Sequence, residues 1–179
     1  CLEDGVTYRF HHMMKGCAER AFAALDGEKQ TVYHTRFGEW YEARRRYLHA
    51  MTFYRRSGDY DALLRVVQED AGILLASVAP DAVLKTLAQC PVSTLKRHPA
   101  ALLVLMRSMF NWRNIPKMME LKGILLAAIR EHPEMPEEER GDLLGECDLI
   151  MSFLCYNDIS AMSRLHRSAS AQMSRQAIS

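Results

Sequence analysis

Between Ala100 and Trp112 the chain carries Leu102, Leu103, Val104, Leu105, Met106, Met109 and Phe110, which leaves a helix there with almost no polar face. A helix apolar nearly all round must be covered on several sides. The rest of the sequence therefore has to supply neighbours for it, and it does so with more helices.

Alternation of the strand type is nearly absent. Only Val6-Thr7-Tyr8-Arg9-Phe10 places apolar residues at every second position and reads as a short strand. A helical stretch from about His11 to Leu25 follows, and Asp26-Gly27 breaks it, with Gly27 read as a helix stop. Beyond that point the period stays near 3.6. Tyr33, Phe37, Trp40 and Tyr41 share a face, as do Leu48, Met51 and Tyr54. Past Ser57-Gly58-Asp59-Tyr60 the stripe runs Leu63, Leu64, Val67, Ala71, Leu74. Pro80 sits where a helix starts, since its missing N–H is no loss in a first turn. Pro91 and Pro99 bracket what reads as a short connector.

Asn111 to Asn114 ends the apolar helix, and the spacing of Met118, Leu121, Leu125 and Ile129 predicts another over 115–131. After the His132-Pro133 to Pro136 turn, Glu137 to Tyr156 reads as the next helix, its first-turn glutamates favouring the positive end of the dipole. Asn157-Asp158 closes it and opens the last, from Ile159 to about Met173. Helices joined by short turns imply antiparallel neighbours. Ser57-Gly58-Asp59-Tyr60 and Tyr156-Asn157-Asp158-Ile159 read as equivalent turns: positive φ, an Asp cap, a new helix. The fold class expected is all-α, a tetratricopeptide-like right-handed superhelix of helix pairs about 34–40 residues apart, with a short strand-helix remnant ahead of it.

Bulk properties narrow the function classes. A chain of 179 residues suits one domain, or a small domain and part of another. A net charge of +1 gives no global case for nucleic acid or membrane. Five widely spaced cysteines without a Cys-x-x-Cys fit neither a disulfide framework nor structural zinc, and point to a reducing cytoplasm. No apolar run approaches the roughly 20 residues that span a bilayer, and no signal-peptide pattern is present. Beginning at Cys1, the chain could be a lipidated mature lipoprotein, but no flexible polar tether follows, and a segment of a longer protein is the favoured expectation.

The candidate chemistry is sparse. His11, His12 and Cys17 could suggest a metal, yet adjacent helical histidines point about 100° apart and neither has a carboxylate at i+4. Lys29 to Arg56 holds seven basic and two acidic residues. As a nucleic-acid patch it would need exposed aromatics between the charges, and its aromatics lie at core spacing. Glu131 to Asp148 holds eight acidic residues and one Arg, so oppositely charged ends could steer head-to-tail self-association. The eleven methionines fall mainly on core stripes. His34, His49, His98, His132 and His166 are scattered, with no Ser or Cys nucleophile paired to them, and the nine glycines form no phosphate loop. No catalytic constellation emerges, so the chain reads as a non-enzyme.

The order Tyr8-Arg9-Phe10-His11-His12-Met13-Met14, then Trp40-Tyr41-Glu42-Ala43, Gly58-Asp59 and His98-Pro99 with its apolar run resembles the middle of the MalT-like, LuxR-type ATP-dependent transcriptional regulators. The resemblance implies that residues 1–27 finish a winged-helix-like module and that 28–179 begin a helical-repeat sensor region. Phe10-His11-His12-Met13 looks like the short histidine motif of that module, with Met13 in place of the usual Leu and His12 in place of the Asp of plant and animal versions. His11 would then approach the phosphate of a bound ATP or ADP in the intact protein. The segment by itself would hold no cofactor. Its partners would be its own ATPase and DNA-binding domains, a small-molecule inducer and further copies of itself, with no direct contact to nucleic acid or membrane. The competing expectation is a stand-alone helical-repeat scaffold that binds peptide or protein partners.

Overall fold

The computed structural model describes residues 2–3, 6–7, 12–70 and 73–174. Among these the fold is all-α but for one short strand pair at the start. Ahead of the helices, β1 (Leu2–Glu3) and β2 (Val6–Thr7) pair antiparallel over two residues. The rest of the expected strand, Tyr8 to Phe10, lies outside the described residues.

The helices are α1 (His12–Ala23), α2 (Gly27–Glu42), α3 (Tyr47–Ser57), α4 (Tyr60–Glu69), α5 (Pro80–Gln89), α6 (Val92–Arg97), α7 (Pro99–Asn111), α8 (Ile115–Glu131), α9 (Glu137–Ser152) and α10 (Ile159–Gln172). Short 3-10 turns at Leu74–Ser77 and Phe153–Cys155 precede α5 and follow α9. Four starts are capped by a side chain that accepts a backbone N–H three residues on: Asp26 from Lys29, Asp59 from Ala62, Asn114 from Lys117 and Asp158 from Ala161.

Three expectations change in detail. Gly27 opens α2 rather than stopping α1, because the Asp26 carboxylate caps the new helix. The stretch between Pro91 and Pro99 is a helix, α6, begun by Pro91 and ended at His98 (φ −123°, ψ 64°), which the following proline keeps out of the helical region. At the turn before α10, Asn157 is not among the residues of positive φ. That conformation occurs at Arg45 (54°), Gly58 (75°) and Arg113 (57°), each one residue ahead of a helix cap.

Sequence neighbours pack as pairs: α2 on α3, α3 on α4, α7 on α8, α9 on α10. The apolar segment that the sequence marks out is α7, and it sits where expected. It packs against α4, α6, α8 and α9, and Ala101, Leu102, Leu105, Met106 and Met109 are buried on it. One contiguous core runs from Ala50 and Tyr54 on α3 through α4 and α7 to Ile150 on α9. Burying a side chain of the Leu or Met type contributes about 1.5–3 kcal/mol, so α7 anchors much of that core. No helix among the described residues is long and apolar enough to cross a membrane.

Candidate functional site

His11, the one residue singled out for nucleotide, lies outside the described residues. Among the described residues no group of three or more His, Cys, Asp or Glu could hold a metal ion. Cys17 on α1 is exposed, its Sγ accepting from Arg20 at 3.3 Å.

The basic segment differs from its expectation. Tyr33 and Phe37 are 44% and 45% exposed; among the described residues α3 supplies most of what packs against α2, and Phe22 of α1 meets Tyr33 edge-on. Tyr41 stacks between His49 (4.9 Å) and Phe53 (5.5 Å), and the Arg44 guanidinium lies 3.8 Å above the Trp40 ring. Burial and the nearby Arg56 push the His34 pKa down. Aromatic and cationic groups do alternate on this ridge, although several of the rings are engaged with one another.

Behind the ridge lies a closed polar contact. The Tyr54 hydroxyl, on a fully buried side chain, donates to Glu42, and Arg65 of α4 donates to both oxygens of that carboxylate at 2.9 Å. Arg65 first, then the tyrosine hydroxyl, holds the Glu42 carboxyl below the usual carboxylate range. Three helices are pinned by one carboxylate. A second carboxylate, Asp61 on α4, accepts from Arg97 at 2.6 Å and meets His98 Nε2 at 3.0 Å, tying α4 to the α6–α7 junction. Arg97 chiefly, with His98, lowers its pKa. Asp61 is half-exposed, so this pair adds little to stability.

At the far end, Asp142 accepts from the Ser174 backbone and hydroxyl, and Asp148 accepts from Ser168 and Gln172. One pairing was missed from the sequence: His166 of α10 lies 3.0 Å from the Ser152 hydroxyl of α9. The signal is fourteen residues of separation across a helical hairpin, which no local motif carries. Ser152 is 1% exposed and donates its proton to Leu149 O at 2.7 Å, so it accepts from His166. A serine so placed cannot reach a substrate. The pair clamps two helices.

A partly open cavity of about 170 Å³ lies between α3, α4 and α5, with Leu105 of α7 in its lining. Its lining is apolar apart from Thr52, Thr86 and Arg55. Both threonine hydroxyls donate to carbonyls of their own helices, at 2.9 and 2.8 Å. Burial pushes the free thiols of Cys90 and Cys147 up to about 11 each, which keeps them as inert thiols.

No protein-family model, curated protein or solved structure matches this chain.

Proposed function

We propose that the chain is a central regulatory segment of a MalT-like, LuxR-type transcriptional regulator, coupling a signal to the state of modules on either side of it. In this reading, residues 1–27 complete a winged-helix-like module, with His11 facing the nucleotide of the intact protein. Residues 28–179 form tetratricopeptide-like pairs of a right-handed superhelix. The segment holds no cofactor and is not an enzyme. Its partners are its own ATPase and DNA-binding domains, an inducer and further copies of itself.

One observation supports this reading beyond the resemblance: apolar side chains stand exposed on α2 and ahead of α10, towards the two ends of the array, as well as at Ile73 between them. Val32, Tyr33 and Phe37 project from α2, and Tyr156 (73% exposed) and Ile159 (75%) stand at the start of α10. Scattered exposed apolar residues are ordinary, but repeat arrays that stand alone end in polar capping faces. A stand-alone scaffold binding peptides is therefore the less favoured alternative. The inter-helix carboxylates Glu42 and Asp61 support a coupling role, because each ties separate helices together through polar contacts that two states could make differently.

Reading the parent gene on both sides of this segment tests the proposal. A phosphate-binding loop upstream and a helix-turn-helix downstream are the expected result. A start codon just before Cys1 and a stop codon just after Ser179 would overturn it in favour of the scaffold.

A further inference from the structure

We infer that the cavity between α3, α4 and α5 binds a small apolar carboxylate, whose ring or chain fills the cavity while its carboxylate meets Arg55. This names the class of signal that the regulator reading leaves open. It rests on that reading for the role of the ligand, and on the cavity alone for its binding.

Size and lining set the apolar part. The cavity measures about 170 Å³, and an apolar void of roughly 150 Å³ stays dry and takes up benzene, so the fitting occupant has about six to ten heavy atoms. Met51, Leu63, Val67 and Leu105 form its floor and sides. The two threonine hydroxyls in the wall are already committed to Leu48 O and Ala82 O. With those protons committed, a neutral ligand's acceptor groups would go unpaired there, which disfavours a sugar or a peptide amide.

Arg55 sets the head group. It stands in the last turn of α3 and lines the same cavity. Its guanidinium makes no hydrogen bond or ion pair with any described residue, unlike Arg65 and Arg97 nearby, which each hold a carboxylate. An exposed arginine that lines an apolar cavity can turn its planar guanidinium to a carboxylate there and hold it by paired N–H donors. The neighbouring surface is mostly basic: Leu48 is shared between the cavity and a shallow basin that presents Arg45, Arg46 and His49 beside one carboxylate, Asp70.

Occupancy would have a structural effect. The three residues that α5 buries, Val83, Thr86 and Leu87, all line this cavity. A ligand would fill the space beneath α5 and seat it against α3 and α4.

The test uses the full chain with benzoate and its neutral counterpart toluene, read by isothermal titration and by amide hydrogen exchange. Benzoate is expected to bind more tightly than toluene and to slow exchange across 80–89. Arg55→Gln should weaken benzoate about tenfold, the loss of one charge-assisted contact, and leave toluene unchanged. Val83→Phe should abolish both; if that variant fails to fold, the Arg55→Gln comparison and the exchange pattern decide. Binding of neither probe overturns the site. Binding of toluene alone, or benzoate affinity indifferent to Arg55→Gln, overturns the carboxylate assignment. A chain that binds benzoate but whose gene lacks the flanking modules keeps the site and loses the regulator.

Discussion

Gly38 and Tyr54 form a contact in which two opposing effects can be weighed. A Cβ at position 38 would come 2.5 Å from Tyr54 Cε1 and 2.6 Å from Cδ1, inside any tolerable contact. In an ordinary helix interior, Gly→Ala stabilises by about 1 kcal/mol. Here the ring is fully buried and its hydroxyl is tied to Glu42, so it cannot swing aside and keep that bond. Overpacking costs about 1–3 kcal/mol. Displacing the hydroxyl from the carboxylate adds about 1.5 kcal/mol, the low end for a charged partner, since Glu42 keeps Arg65 and some water. Gly38→Ala should therefore destabilise by about 1.5–3.5 kcal/mol despite the better propensity. Urea unfolding followed by far-UV circular dichroism measures it, provided the denaturant slope is unchanged. The decisive step is a cycle with Tyr54→Leu, which removes the ring atoms nearest position 38. In that background Gly38→Ala should be neutral or stabilising by up to about 1 kcal/mol, giving a coupling of about 1.5–4.5 kcal/mol. An equal cost in both backgrounds would refute the steric reasoning.

Three further outcomes are expected. Glu42 has its folded pKa lowered, first by Arg65, so its contribution is complete above the unfolded value of about 4.3 and is lost as pH falls through the folded one. Glu42→Gln should cost about 1–2 kcal/mol near pH 7, and its gap to the parent chain should close below about pH 4; a constant gap down to about pH 3 contradicts this. Native Cys90 and Cys147 should resist thiol reagents near neutral pH and react only on unfolding, while exposed Cys17 reacts at once, as mapped by mass spectrometry. On α9, a Cβ at Gly141 would fall 2.2 Å from the Gln172 carbonyl oxygen, whereas at Gly145 it meets first the movable Met173 side chain. Gly141→Ala should thus loosen α10, seen as faster amide exchange over 159–172, and more so than Gly145→Ala; the reverse order would show that the backbone contact is not limiting.

Periodicity and caps made most helices legible before any coordinates. Ile115–Glu131 follows from Asn114 ahead of a clean stripe, and α7 from its continuous apolar run. Periodicity says which residues share a face, and it is silent on what covers that face. Tyr33 and Phe37 were read at core spacing, yet the face they share has too little packed against it to bury them. Six residues are too few for a period to register, so the sequence reads as a connector where α6 lies. The cavity was not readable at all. Its walls come from four helices, and its emptiness depends on how side chains meet across them. Arg55 looked like one cation in a basic run, and only its place at that cavity separates it from Arg56 beside it.

The position of α7 bears on how this chain can lose order. In an array whose units touch only their neighbours, unfolding can begin at one end and stop partway. Here α7 is a wall shared by α4, α6, α8 and α9, and those helices lie on both sides of it in sequence. Stripping any of them exposes Leu102, Leu105, Met106 or Met109 to water and weakens the seating of the rest. The stretch from α2 to α9 should melt as one cooperative unit, since Glu42 ties α2 and α3 to α4, with α1 free to fray ahead of it. A grafted or shortened version would keep its native transition only if the cut fell outside that unit.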